Sequence, residues 1–411
     1  MTITLGKKIV LAKFKEHKYT YLAALLVIFI ILLPKGGIKP GGIPLTTGYG
    51  LLFFIAGLAF TAYTYTGKIF FLGKRQLICL TAIIPFFLVS SLKIFATGFL
   101  SLGFVISFYI SLFFIPVTFL LLFYHPIKHI NPTHTIQLIK QCVFFTALYG
   151  IILFFYKIVT GSFIEIPLVT VNLGDVGELE EKHIDRGGIF KLISTYNNGN
   201  IYGVCMLMLL PFFMYAEKRT YRKFIVKFAL LLTLSRTVWI TLILCEIFYF
   251  IFIRKKTVKS VMGILAIIAL LVVAVITGLS LLQRDISFIA DQSLGGRGDQ
   301  IEALAESTFL PNFSEPFQYV REMVYFSVIE NFGWISLPLF FMFLSTPLVL
   351  LLSNKSSRRS SIIKSFALGL FLYHIAAFVD GALLYIPVMA IYWIVVTIAI
   401  SNPNLQLAEE Y

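Results

Sequence analysis

The sequence predicts an all-α polytopic membrane protein of roughly twelve transmembrane helices, at about 20 apolar residues per span. Three observations carry that prediction. The 411 residues are 58% apolar and only 13% charged, where a soluble domain carries about 25% charged residues. The apolar residues come in long runs, such as Leu22 to Pro34 and Val261 to Leu282. The basic residues fall on alternate loops, as the positive-inside rule requires. With a mean hydropathy of +0.90, a soluble enzyme of this length is excluded, because too few polar groups remain to cover its surface.

Taken in order, the spans lie near 19–34, 47–66, 76–93, 98–124, 140–160 and 199–216. Two adjoining helices follow near 222–235 and 237–253, then four more near 260–283, 324–352, 364–380 and 383–400. No A-x-A-like cleavage site follows the first run, so it is expected to stay as a span. The chain reads as one integral membrane domain, 1–411, without internal repeats or linkers. Cys79, Cys142, Cys205 and Cys245 lie within apolar runs without CxxC spacing and read as small buried hydrophobes.

Charge placement orients the spans. With the N-terminus in the cytoplasm, 23 of the 34 Lys and Arg fall on one set of loops, among them Lys7, Lys74, Arg75, Lys140, Arg222 and Arg254. Only Glu16, Glu217, Glu409 and Glu410 join them on that side. Both termini are therefore expected in the cytoplasm. The net charge of +14 is mostly topological. Anionic headgroups suffice as its partner, and nucleic acid is not expected. The two long loops, 161–198 and 284–323, fall on the outer side, which is the periplasm in a Gram-negative cell. Chemistry should face outward.

The first long loop is acidic at Asp175, Glu178, Glu180, Glu181 and Asp185, then runs through Arg186 into Asn197, Asn198, Gly199 and Asn200. An Asn- and Gly-rich helix start offers amides and free N–H groups to a sugar or an anion; an ordinary N-cap accounts for it equally. Leu234-Ser235-Arg236-Thr237-Val238-Trp239 places an arginine between two apolar runs, where a guanidinium faces a cavity or partner and matches phosphate oxygens bidentately. The second loop holds Arg284, Arg297 and Arg321 as its basic residues and an amphipathic stretch from Asp299 to Glu306. Arg321 and Glu322 sit at the mouth of an apolar helix, with Tyr325 and Glu330 on the same face. His374 and Asp380, near the outer end of a late span, are poorly placed for one helical face and read as buried structural groups. No P-loop, GxGxxG, HExxH or Ser-His-Asp spacing is present.

LSRTVW opening a helix, GGRGDQIEAL in the loop and ENFGWISLPLFF after it, in this order and on this side, resemble the O-antigen ligase and Wzy-type polymerase superfamily. The stretch from Arg186 through Tyr202 is similar to that superfamily's Arg-then-Asn/Gly segment. The motifs cover roughly residues 185–350. The resemblance implies a GT-C-like fold with a large periplasmic loop before the tenth helix. It implies a metal-independent glycosyltransferase that needs no cofactor and acts on undecaprenyl-pyrophosphate-linked oligosaccharides at the outer face of the inner membrane. Arg186, Arg236, Arg297 and Arg321 would bind the pyrophosphate. Arg236 and Glu322 would be catalytic, and Asn197, Asn198, Asn200 and Tyr325 would contact glycan. Ligases of the superfamily carry a histidine where this chain has Glu322, and a carboxylate there suits the polymerase branch.

The expected function is thus an O-antigen repeat-unit polymerase, with Glu322 as the base. A ligase acting on lipid A-core is the alternative within the superfamily. A secondary transporter or flippase is the alternative outside it, with Glu246 as its mid-span charge. Expected partners are lipid-linked oligosaccharides and membrane lipids, with a polysaccharide chain-length regulator left open.

Overall fold

The computed structural model describes residues 21, 24–38, 45–66, 72–124, 127, 132–174, 176–177, 179, 190–253, 298–354 and 360–402. Most are helical. The first run ends in a π-helical turn, Ile28–Leu32, followed by a small hairpin of β1 (Gly37–Ile38) and β2 (Leu45–Thr46). The helices are then α1 (Thr47–Thr66), α2 (Lys74–Thr97), α3 (Leu102–Phe123, with two π-helical turns), α4 (Pro132–Thr160), α5 (Gly199–Ala216), α6 (Thr220–Leu231) and α7 (Arg236–Phe252). After them come the short α8 (Gly298–Ala305) and α9 (Val324–Phe332), then α10 (Ser336–Ser353), α11 (Ser361–Asp380) and α12 (Ile386–Ser401). Among the described residues, α2, α3, α4, α5, α10 and α11 are long and apolar enough to cross a membrane. The protein is a membrane-embedded, all-α bundle.

One expectation about its elements changes. The single span predicted at 324–352 is broken. Gly333 turns the chain between α9 and α10 with φ +75, and a Cβ there would lie 2.5 Å from the Leu310 carbonyl carbon. Nine residues of α9 reach only about 14 Å, too short to cross. The predicted helix at 260–283 lies outside the described residues. The amphipathic stretch from Asp299 is helical, as α8.

Helices α5, α11 and α12 form the centre. Their side chains are almost all buried, whereas α2 and α10 turn large apolar residues such as Leu92, Phe95 and Val349 outward. Two glycines let the central helices touch. A Cβ on Gly369 of α11 would lie 1.9 Å from the Met208 carbonyl oxygen of α5, and one on Gly203 would lie 2.2 Å from Val238. Small residues at such crossings are how helices pack where lipid supplies no hydrophobic drive. Several hydroxyls inside the helices are satisfied locally: Ser90 donates to the Phe86 carbonyl at 2.7 Å, and Thr146 to the Cys142 carbonyl at 2.6 Å. All four cysteines are free and buried.

The predicted cytoplasmic end carries its charges in pairs. Glu217, just past α5, meets Lys140 at 3.7 Å and Arg222 at 3.5 Å. Burial raises its carboxyl, but the Arg219 N–H, Lys140 and Arg222 outweigh that and hold it below the ordinary range. Glu246 is neutralised by Lys227 at 2.5 Å, so it is an ion pair between α6 and α7 rather than a lone mid-span carboxyl.

The second long loop is sewn onto the opposite end. Phe317 exchanges backbone hydrogen bonds with Gly98 and Leu100, both 3.0 Å. Its ring is buried among Phe108 and Phe332. Lys93 donates to the Glu315 carbonyl. The first long loop is tied to the hairpin through Leu173 N–H and the Gly37 carbonyl, 2.9 Å.

Candidate functional site

A cavity of about 970 Å³ opens at this loop end of the bundle, in the size range of small-molecule sites. Its described lining comes from chain segments that are far apart in sequence. Lys35 and Thr46 flank the hairpin; Ser101, Phe104 and Ser107 start α3; Asn198 and Asn200 start α5; Asp299 and Gln300 start α8. Tyr319 to Glu322 precede α9, and Asp380 with Ala382 to Pro387 lie where α11 meets α12. All of these are helix ends that the basic-residue count assigns to the outer side. Glu217, Lys140 and Arg222 mark the far end of α5.

Arg321 is positioned by α9. Its N–H donates to Ser327 Oγ at 2.9 Å, and Asn331 Nδ2 donates to the Tyr319 carbonyl at 3.2 Å, fixing the segment just before it. Its guanidinium meets Glu330 Oε1 at 3.1 Å with side chains 29% and 21% exposed. Burial pushes the Glu330 carboxyl up, against the Arg321 charge. Glu322 is exposed on the cavity wall. Its carbonyl accepts the Gly381 N–H at 3.0 Å, so the chain carrying Glu322 lies beside the turn that carries Asp380.

The Asn/Gly run divides into two roles. Asn198 is a true N-cap: its Oδ1 accepts from the Asn200 and Ile201 N–H groups at 2.8 and 3.2 Å. It also lines the cavity. Asn200 lines it too, and its Nδ2 donates to Asp380 Oδ2 at 2.6 Å. Asn197 takes the left-handed conformation, φ 56, and its Nδ2 donates to the Thr170 carbonyl at 3.0 Å. It ties the loop down and is not part of the described lining.

Among the remaining assignments, that of Tyr325 changes. Tyr325 is 2% exposed and its hydroxyl bonds His374 Nδ1 at 2.9 Å. The face it shares with Glu322 in sequence turns inward because α9 begins only at Val324, so Tyr325 is core and not a glycan contact. Arg236 opens α7 beyond a turn in which Leu234 has φ 49 and Trp239 Nε1 donates to the Leu231 carbonyl; it is not among the described lining residues. Arg186 and Arg297 lie outside the described residues. His374 and Asp380 are both buried, as expected, and each has a partner on another helix.

Several site residues escaped the sequence reading. Lys35 stands 5.0 Å from the Tyr385 ring centroid. Phe104 and Tyr319 stack at 5.1 Å and 25° in the wall. Asp380 is 4% exposed yet reaches the cavity. The one available signal was Asp380 as the acidic residue closing a late apolar run. Among the described residues no group of three or more His, Cys, Asp or Glu is gathered for a metal. The arrangement offers carboxylates, a guanidinium, amides and aromatic faces in one concave wall, the means to hold a polar, hydroxylated substrate with an anionic group.

Comparison of the chain with protein-family models, with curated proteins and with solved structures gives no match.

Proposed function

We propose that the chain is a polymerase of surface-polysaccharide repeat units. It would span the bacterial inner membrane about twelve times, with a GT-C-like fold, both termini cytoplasmic and the cavity open to the periplasm. The reaction moves a growing glycan from undecaprenyl pyrophosphate to a lipid-linked repeat unit. An acceptor hydroxyl oxygen attacks the anomeric carbon of the donor, and the bond from that carbon to the pyrophosphate oxygen breaks. The electron pair leaves with polyprenyl pyrophosphate, and the hydroxyl proton passes to the Glu322 carboxylate. Arg321 lies next to it, oriented by Glu330, to take the charge that develops on the leaving phosphate. The donor is already activated, so no nucleotide is consumed.

The observation that carries this reading is that Arg321 and Glu322 share one cavity with Asn198 and Asn200 from the other long loop. Deleting the gene should leave lipid A-core bearing a single repeat unit; an unchanged ladder of chain lengths would overturn the proposal. Glu322→Gln and Arg321→Ala should each abolish the ladder at normal membrane abundance. Arg236, which stands off the described lining, keeps a place in the mechanism only if Arg236→Ala also loses the ladder. Lipid-linked polymer with none on lipid A-core would mark the chain as a ligase instead.

A further inference from the structure

Asp380 has no part in the chemistry just described, yet it is a carboxylate buried at the rim of an apolar helix. One oxygen accepts from Asn200 Nδ2 at 2.6 Å, which orients the group. The turn after it is built tightly. A Cβ on Gly381 would lie 2.5 Å from Val324 Cγ2, and Ala382 is held at φ 46, a conformation that costs a residue with a side chain about 1–2 kcal/mol. Strain of this kind persists where the surrounding packing insists on it. The same turn donates the Gly381 N–H to the Glu322 carbonyl, so Asp380 and the proposed base sit side by side. Tyr385 completes the corner. Its ring is 44% exposed, while burial and then the charges of Asp380 and Glu322 push its hydroxyl above the ordinary range.

We propose that Asp380, Asn200 and Tyr385 form a sugar-hydroxyl subsite that holds the acceptor glycan beside Glu322. This rests on the polymerase reading. The chemistry selects a polyol. A carboxylate accepts hydrogen bonds from sugar hydroxyls, an amide both donates and accepts, and an aromatic ring covers the apolar face of a pyranose. Glu322 and Asp380 would repel phosphate, Lys35 beside the Tyr385 ring offsets one of those charges, and Arg321 offers phosphate a place on the neighbouring segment. Asp380 is thus a positioning residue that acts on the acceptor rather than on the proton.

The test uses the full chain purified in detergent, with two probes from a strain lacking the gene: its lipid-linked repeat unit, and the free repeat-unit oligosaccharide released from that lipid by mild acid. Calorimetric titration reads oligosaccharide binding, and gel analysis reads extension of the lipid-linked unit. Asp380→Asn and Tyr385→Ala should each weaken oligosaccharide binding, Asp380→Asn by roughly ten- to hundredfold as expected for losing a hydrogen bond to a charged group. Glu322→Gln should bind as wild type does and extend nothing. Where Asp380→Asn unfolds early, Tyr385→Ala decides, because its ring is at the surface. Wild-type affinity in the folded variants overturns the subsite, as does a wild-type chain that extends the lipid-linked unit without binding the oligosaccharide. A wild-type chain that binds the oligosaccharide in an Asp380-dependent way but never extends the lipid-linked unit overturns the polymerase reading and leaves the subsite standing.

Discussion

Tyr325 and Glu330 lie on one short helix and do different work. The Tyr325 hydroxyl is spent on His374 in the core, so Tyr325→Phe should cost about 1 kcal/mol of stability, read as a lower unfolding temperature, and keep the glycan ladder. A folded Tyr325→Phe chain without a ladder would return the residue to the site. Glu330 sits partly buried against Arg321, and burial raises its carboxyl above its ordinary value of 4.5. A raised carboxyl binds its proton more tightly in the fold than in the unfolded chain. Its contribution is therefore greatest below pH 4.5 and falls as pH rises through the folded value. The stability of the wild type relative to Glu330→Gln should decline with pH across that window in unfolding titrations; a rising difference would contradict the assignment.

Helices are held together here by what is missing from them. Gly369 lets α11 rest on the backbone of α5. Gly369→Ala must push the two central helices apart, an overpacking that costs about 1–3 kcal/mol. Nothing lies within 4 Å of the Cβ position of Gly57 in α1, so Gly57→Ala should be neutral or stabilising by up to about 1 kcal/mol. Denaturation of the two detergent-purified variants side by side measures the contrast, and equal effects would refute the packing account. The same reasoning explains the break at Gly333. Hydropathy sees one apolar run from 324 to 352, because it sums transfer preferences residue by residue. The break depends on Leu310 reaching that glycine across the loop, which no local sum contains. In the Asn/Gly run likewise, Asn197, Asn198 and Asn200 are chemically alike in sequence. Only the left-handed turn at Asn197 separates the loop anchor from the two cavity residues.

For the whole molecule, the orientation argument and the cavity agree on one end of the bundle, and this can be read in cells. The native cysteines are buried, so a single introduced cysteine reports without background. Phe309→Cys, in the exposed second loop, should react with a membrane-impermeant maleimide once the outer membrane is permeabilised. Arg219→Cys, exposed beside Glu217, should react only after the inner membrane is broken. The reverse pattern would invert the topology and place the cavity in the cytoplasm.

The sequence alone determined that this is a helical membrane protein and where most of its helices lie, and it sets the expectation of which loops share a side. Those properties follow from apolar transfer and charge retention, which act through local composition and add along the chain. It also pointed to Arg321, Glu322, Asn198 and Asn200, because polar residues at apolar boundaries stand out one at a time. The tertiary structure alone decided that these four share a cavity, that Tyr325 is core, that Arg236 stands off the lining, and that Asp380 reaches Asn200 across 180 residues of sequence. Such contacts are set by how helix ends meet when glycines and side chains interlock, and that is a property of the packed bundle rather than of any stretch of it.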